Sequence, residues 1–189
     1  MHPEALHFLQ YVYQNFKQFY KGKVLDVGSG DINGNNRAYF ENCDYWGCDV
    51  VEGPNVDIVS PVHLLPFAKN TFDMVISSEC FEHDMHYEQS LKKIESMVKD
   101  GGLFVFTCAS TGRPEHGTLR TSPGDSLSTR LGDQTWGNYY KNITHEDVLK
   151  VLDMNKWGYS RFYFNAKSCD LYFVGIKGPV QTTVPNYTG

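Results

Sequence analysis

The segment richest in chemistry is Val24-Leu25-Asp26-Val27-Gly28-Ser29-Gly30-Asp31, where an apolar run ends directly in Gly-x-Gly. Two glycines so placed let the backbone turn tightly and let a ligand approach it closely. Several ligands are disfavoured. The nicotinamide fingerprint needs a third glycine where Asn33 stands, and no Gly-Lys-Ser/Thr ending makes a phosphate loop. A carboxylate at Asp31 would also repel phosphate. Asp26 suits a cationic or hydroxyl-bearing ligand instead. A second acid, Asp49, ends the next apolar run, where a carboxylate can accept hydrogen bonds from two ribose hydroxyls. Together they point to a nucleoside. Asp31-x-Asn33-x-Asn35 opens like a calcium loop, but the required Gly and Glu are replaced by Asn36 and Asn42, so no metal is assigned.

A second group of reactive residues follows the fourth apolar run, in Glu79-Cys80-Phe81-Glu82-His83. Histidine has the pKa of a general base, and Glu82 or Asp84 could raise it. His83 is therefore the candidate catalytic residue, against the plainer reading of a packing or substrate-orienting histidine. After the fifth run come Arg113-Pro114-Glu115-His116 and Arg120. Arginine can hold a carboxylate or phosphate bidentately, and tyrosines can wall a sugar or aromatic ring. Arg113, His116, Tyr139 and Tyr140 are the candidate substrate-binding residues.

These groups need a scaffold that brings strand ends together. Val24–Val27, Tyr45–Val50, Val56–Val59, Phe72–Ser77 and Leu103–Ala109 read as strands, and their nearly continuous apolar character indicates burial on both faces. Helical patterning lies between and before them. Pro3–Tyr20 carries Leu6, Leu9, Tyr13, Phe16 and Tyr20 on one stripe, and His86–Lys99 carries Leu91, Ile94 and Val98 until Asp100-Gly101-Gly102 stops it. The alternation predicts an α/β fold with a mostly parallel sheet and helices on both faces. Thr144-His145-Glu146-Asp147 resembles a capping arrangement opening a helix to about Asn155. Tyr159–Phe164 and Leu171–Ile176 are joined too tightly for a parallel crossover and predict an antiparallel hairpin. The Gly-, Ser- and Pro-containing stretch 110–142 reads as an active-site cover. Residues 1–178 are read as one domain, and 179–189 as a loose tail.

The 189 residues carry 41% hydrophobic and 21% charged residues, which excludes disorder as the dominant state. The net charge is −5, with no basic face for nucleic acid. The apolar runs are strand-sized, so no membrane span is expected. Met1–Glu4 shows no secretory pattern, and the five scattered cysteines are expected to be reduced, in the cytoplasm. Oligomeric state is not legible.

Four segments resemble the class I S-adenosylmethionine-dependent methyltransferases, type-11 group. They are Val24–Gly30, Tyr45–Asp49, Leu65-Pro66-Phe67 with Thr71–Ser77, and Asp100-Gly101-Gly102-Leu103. The resemblance implies a Rossmann-like sheet of seven strands with a reversed C-terminal hairpin. It also implies S-adenosyl-L-methionine as cofactor, held by Asp26, Gly28, Ser29, Gly30, Asp49, Val50, Val62, His63 and Ser78. Two departures stand out. Asp31-Ile32-Asn33-Gly34 replaces the third glycine, with Gly34 expected to take over its packing. Pro61 replaces an Asp that meets the adenine amino group, leaving the backbone around Val62 and His63. The expected activity is methyl transfer to a polar small molecule, such as a sugar or glycan precursor. A non-catalytic S-adenosylmethionine-binding module of a larger assembly is the alternative.

Overall fold

The computed structural model describes residues 2–179 and 184–188. Among them, the apolar runs form β1 (Gly22–Val27), β2 (Cys43–Asp49), β3 (Ile58–Val59), β4 (Phe72–Ser78), β5 (Val98–Ala109), β6 (Trp157–Asn165) and β7 (Asp170–Lys177). They make one seven-stranded sheet in the order β3-β2-β1-β4-β5-β7-β6. The first five strands are parallel, and β7 runs antiparallel between β5 and β6. The expected Rossmann-like α/β sheet with a C-terminal hairpin is the observed fold. The chain order reverses between β1 and β4, so the cleft at their carboxyl ends is where such sheets bind ligands.

Both faces of the sheet are covered, which is why its central strands are apolar without alternation. Phe104, Phe106 and Phe173 pack with Leu91, Ile94 and Met97 of α2 (Tyr87–Met97) on one face. Leu103, Val105 and Val174 pack with Phe8, Leu9 and Val12 of α1 (Pro3–Asn15) on the other. The helix α1 is shorter than its pattern predicts, and a 3-10 turn covers Lys17–Phe19. Its buried stripe is Ala5, Phe8, Leu9, Val12 and Phe16, while Leu6 and Tyr13 are exposed. The stripe expected from the sequence was rotated by one residue in its first half.

Three connections depart from expectation. No α-helix follows the glycine turn; the link to β2 holds only the 3-10 turn Arg37–Phe40. Short polar side chains take the backbone there. Asp31 accepts from Gly34 N–H at 2.8 Å and from the Asn35 amide, and Asn35 accepts from Arg37 N–H at 3.0 Å. Gly34 has φ +117° and nothing near its would-be Cβ, so it serves backbone conformation, not the close packing expected of it. Second, the helix predicted from Thr144 has its capping box, but α4 spans only His145–Leu149. Asp153 then caps a separate 3-10 turn at Met154–Lys156. Third, residue 187 is not loose: Tyr187 packs edge-on against Phe8 and Tyr163. The tail residues 180–183 and 189 lie outside the described residues.

Segment 110–142 folds into turns around the short helix α3 (Leu127–Arg130). Backbone bonds tie it down, from Leu119 N–H to Gly137 O at 2.8 Å and from Lys141 N–H to Glu82 O at 2.9 Å. Among the described residues, no helix is long and apolar enough to cross a membrane.

Candidate active site

A cavity of about 350 Å³ opens at the carboxyl ends of β1, β2 and β4. Its floor is the glycine turn. Gly28 has φ +71°, and a Cβ there would lie 2.5 Å from Cys80 Sγ. The position thus requires glycine twice, for conformation and for space. The first obstacle to a side chain is Cys80. Asp49 closes the turn from β2: one carboxylate oxygen accepts from Gly30 N–H at 3.0 Å, the other from Val50 N–H at 2.7 Å. Burial raises its pKa, against the backbone N–H groups of Gly30, Val50 and Val51.

Asp26 lies under the turn, buried, accepting from Tyr45 Oη at 2.5 Å and Asn36 Nδ2 at 3.2 Å. Burial pushes its pKa up to about 7, although both bonds favour the charged form. Asn36 also donates to Ser78 Oγ at 3.1 Å. Its own Oδ1 is buried without a partner among the described residues, on the cavity wall. The sequence reading missed Asn36, because its position depends on the irregular link after the turn. The Ser29 hydroxyl is engaged by Asn55 O at 2.9 Å.

Of the residues assigned to a cofactor, Asp26, Gly28, Ser29, Gly30, Asp49, Val50, Val62 and Ser78 all line this cavity. His63 does not; its ring packs against His86 with centroids 4.5 Å apart. Val62 sits in a 3-10 turn opened by Pro61, which presents Ser60, Pro61 and Val62 to the cleft.

The far end of the cavity holds His83, Arg113 and His116. The His83 and His116 rings meet edge to face, with centroids 5.3 Å apart, and Tyr140 packs against both. Burial, and then the neighbouring His116, push the His83 pKa down to about 3. The flanking acids do not raise it as expected. Asp84 is occupied by Ser90 Oγ and His86 N–H, and burial holds the Glu82 carboxyl well above the usual carboxylate range. His83 is therefore a neutral imidazole at working pH. Arg113 is anchored, donating to Ser168 O at 2.7 Å and pairing with Asp170 at 3.3 Å. Tyr139 and Tyr140 do not line the cavity.

His2 was not foreseen. It caps α1 and reaches the sheet edge, where its ring contacts Asp170 at 2.8 Å, Glu79 at 3.2 Å and Glu4 at 3.2 Å. Burial alone would lower its pKa; the bonds to Asp170 and Glu79 outweigh that and lift it to about 10. Glu79 holds the left-handed φ of +53°, a strained conformation for a non-glycine residue at the cleft.

The methyltransferase domain family matches residues 25–106, under half of the chain. No curated protein matches the chain. Solved structures do. One is the Burkholderia thailandensis 1,6-didemethyltoxoflavin-N1-methyltransferase, with bound 1,6-didemethyltoxoflavin and S-adenosylhomocysteine. It is 17% identical, with 91% of this chain and 78% of that chain covered, at a TM-score of 0.59. The N-methyltransferase NodS from Bradyrhizobium japonicum WM9, in complex with S-adenosylhomocysteine, is 14% identical over 94% and 87% of the two chains, at 0.58. The PH0226 protein of Pyrococcus horikoshii OT3 is 15% identical over 92% and 89%, at 0.61. The resemblance to class I S-adenosylmethionine-dependent methyltransferases is thereby borne out. Residues 25–106 carry the family match, and the sheet carries the fold.

Proposed function

We propose that the chain binds S-adenosyl-L-methionine and transfers its methyl group to a polar small molecule, with sugars and glycan precursors as the acceptor class. The observation that carries this reading is the cleft beside Gly28 and Gly30. It combines a ribose-type carboxylate, Asp49, with an unpartnered buried acceptor, Asn36 Oδ1. Both fit the cofactor: ribose hydroxyls donate to Asp49, and an ammonium group donates to Asn36. The backbone at Val62 borders the adenine end. Asp26 supports the turn from beneath through Asn36 and Tyr45. The relatives crystallised with S-adenosylhomocysteine support the same cofactor.

When bound, the cofactor supplies an electrophilic methyl group, and the protein aligns the acceptor with it. At the acceptor end burial and His116 hold His83 uncharged, so it orients the acceptor and does not serve as a base poised near neutrality. His116 and Tyr140 shape that end, and Arg113 braces it through Asp170. Segment 110–142 acts as the cover. Asp125, Ser126, Leu127 and Ser128 line the cleft opposite the glycine turn. The Leu127 Cδ2 lies 2.6 Å from a Cβ built at Gly30. The net charge of −5 disfavours nucleic acid as acceptor.

The reading is tested by turnover. Purified protein is incubated with S-adenosylmethionine and panels of sugars, nucleotide sugars, amines and nucleic acids, and S-adenosylhomocysteine is quantified by mass spectrometry. Formation only with a polar small-molecule class supports it. Cofactor binding without turnover on any class leaves a non-catalytic S-adenosylmethionine-binding module.

A further inference from the structure

We infer that Glu82, His83 and His116 form a binding site for one divalent transition-metal ion at the acceptor end of the cleft. The first observation is Glu82. It is fully buried, and both carboxylate oxygens lack a hydrogen-bond partner among the described residues. A carboxyl buried in this way costs free energy unless something compensates it. Only the backbone N–H groups of Glu82 and Ala109 lie towards it, and burial outweighs them. Arg113 is already engaged by Asp170 and Ser168.

The second observation is the geometry of the two histidines. The ligating atoms of Glu82, His83 and His116 lie within 4.8 Å of one another. His116 Nδ1 lies 3.1 Å from the Pro114 carbonyl, which can only accept, so Nδ1 carries the proton. That leaves Nε2 with its lone pair. Metal-bound histidines are commonly oriented by this kind of outer bond to a carbonyl. Tyr140 adds a contact to the same Nδ1 at 3.3 Å. The loop closes tightly on His83 at Gly117, where a Cβ would fall 2.8 Å from His83 Cε1.

The donor set identifies the ion class. Two imidazoles and one carboxylate suit zinc and neighbouring first-row cations better than magnesium or calcium, which prefer all-oxygen shells. His83 and His116 line the cavity, whereas the Glu82 carboxyl lies behind them. An ion held by the three would thus present an open position to the cleft, the arrangement of a metal that takes a water or a substrate oxygen. A neighbouring cluster, His2–Glu79–Asp170, also brings ligand-type atoms together. It differs in that both His2 ring nitrogens already have carboxylate partners, although Glu79 Oε1 is buried without one among the described residues. The metal site does not depend on the methyltransferase reading; a role for the ion in holding the acceptor does.

The test uses the full chain, stripped with chelator and titrated with cobalt chloride. Visible absorption reports coordination, and zinc chloride is used in competition. One equivalent is expected, displaced by zinc. His116→Ala and Glu82→Gln should each weaken binding at least about 100-fold, beyond what loss of an outer-shell partner costs. His2→Ala should leave it unchanged. If Glu82→Gln fails to fold, His116→Ala, in the covering loop, still decides. Absence of a saturable equivalent, or affinity unaffected by His116→Ala, overturns the site. Loss in His2→Ala but not in His116→Ala overturns the assignment in favour of the other cluster. S-adenosylhomocysteine binding, measured on the metal-free protein, separates failure here from failure of the cofactor reading.

Discussion

The two ends of the cleft are built differently. The proposed cofactor end is assembled from nearby segments: the glycine turn, the tip of β2 and the Pro61–Val62 turn. Backbone conformation dominates it, and its acids are held by N–H, hydroxyl and amide donors. The acceptor end draws on His2, Glu79–His83, His116, Tyr140 and Asp170, far apart in the chain. Buried carboxyl and imidazole groups dominate there, and oxygens of Glu79 and Glu82 are buried without a hydrogen-bond partner among the described residues. A binding cradle for a fixed ligand can be encoded locally, whereas the chemistry of the variable ligand is assembled only by the fold.

The largest effect that would separate the two ends is at Gly28. Gly28→Val places a β-branched side chain at φ +71° and against Cys80. It should abolish S-adenosylhomocysteine binding in calorimetry. Circular dichroism establishes that the variant is folded. A folded variant that still binds would break the account of the turn.

A second comparison concerns the cover. Amide hydrogen exchange across residues 113–136 should slow when cofactor and acceptor are both present, because this segment lines the cleft opposite the glycine turn. Exchange in the β5 core should not change. Equal rates in the cover with and without ligands would remove it from the mechanism.

The smallest effect is at the His2 tie. Its folded-state pKa, about 10, lies above the ordinary histidine value, so the charged form is favoured by folding. The stabilisation is complete below about pH 6.5, the unfolded value, and is lost as pH rises towards 10. The difference in Tm between wild type and His2→Gln should therefore be greatest near pH 6 and shrink towards pH 10. A difference that grows with pH would show that the imidazolium contacts with Asp170 and Glu79 do not hold α1 to the sheet edge.

Much of the fold was legible because it rests on local patterns. The buried strands announce themselves as apolar runs, the hairpin by its short connection, and the start of α4 by its capping box. The proposed cofactor cradle was legible for the same reason, since Gly28, Gly30 and Asp49 sit at the ends of those strands. Other features were hidden. The link after the glycine turn follows Asx-type bonds of Asp31 and Asn35 that compete with helix, and this concealed Asn36. His83 looked like a base because its sequence neighbours are acids. Burial and His116, which lies far along the chain, decide its charge instead. His2 gave no signal, because its partners Glu79 and Asp170 are brought to it only by the sheet.

The proposed ribose contact at Asp49 is the most direct point of attack on the cofactor end. Calorimetric titration of wild type and Asp49→Ala with S-adenosylhomocysteine should show one site in the wild type. Removing a charged acceptor is worth about 1.5–3 kcal/mol, so the variant should bind about tenfold or more weakly. Absence of binding to the wild type, or equal affinity in Asp49→Ala, would contradict it.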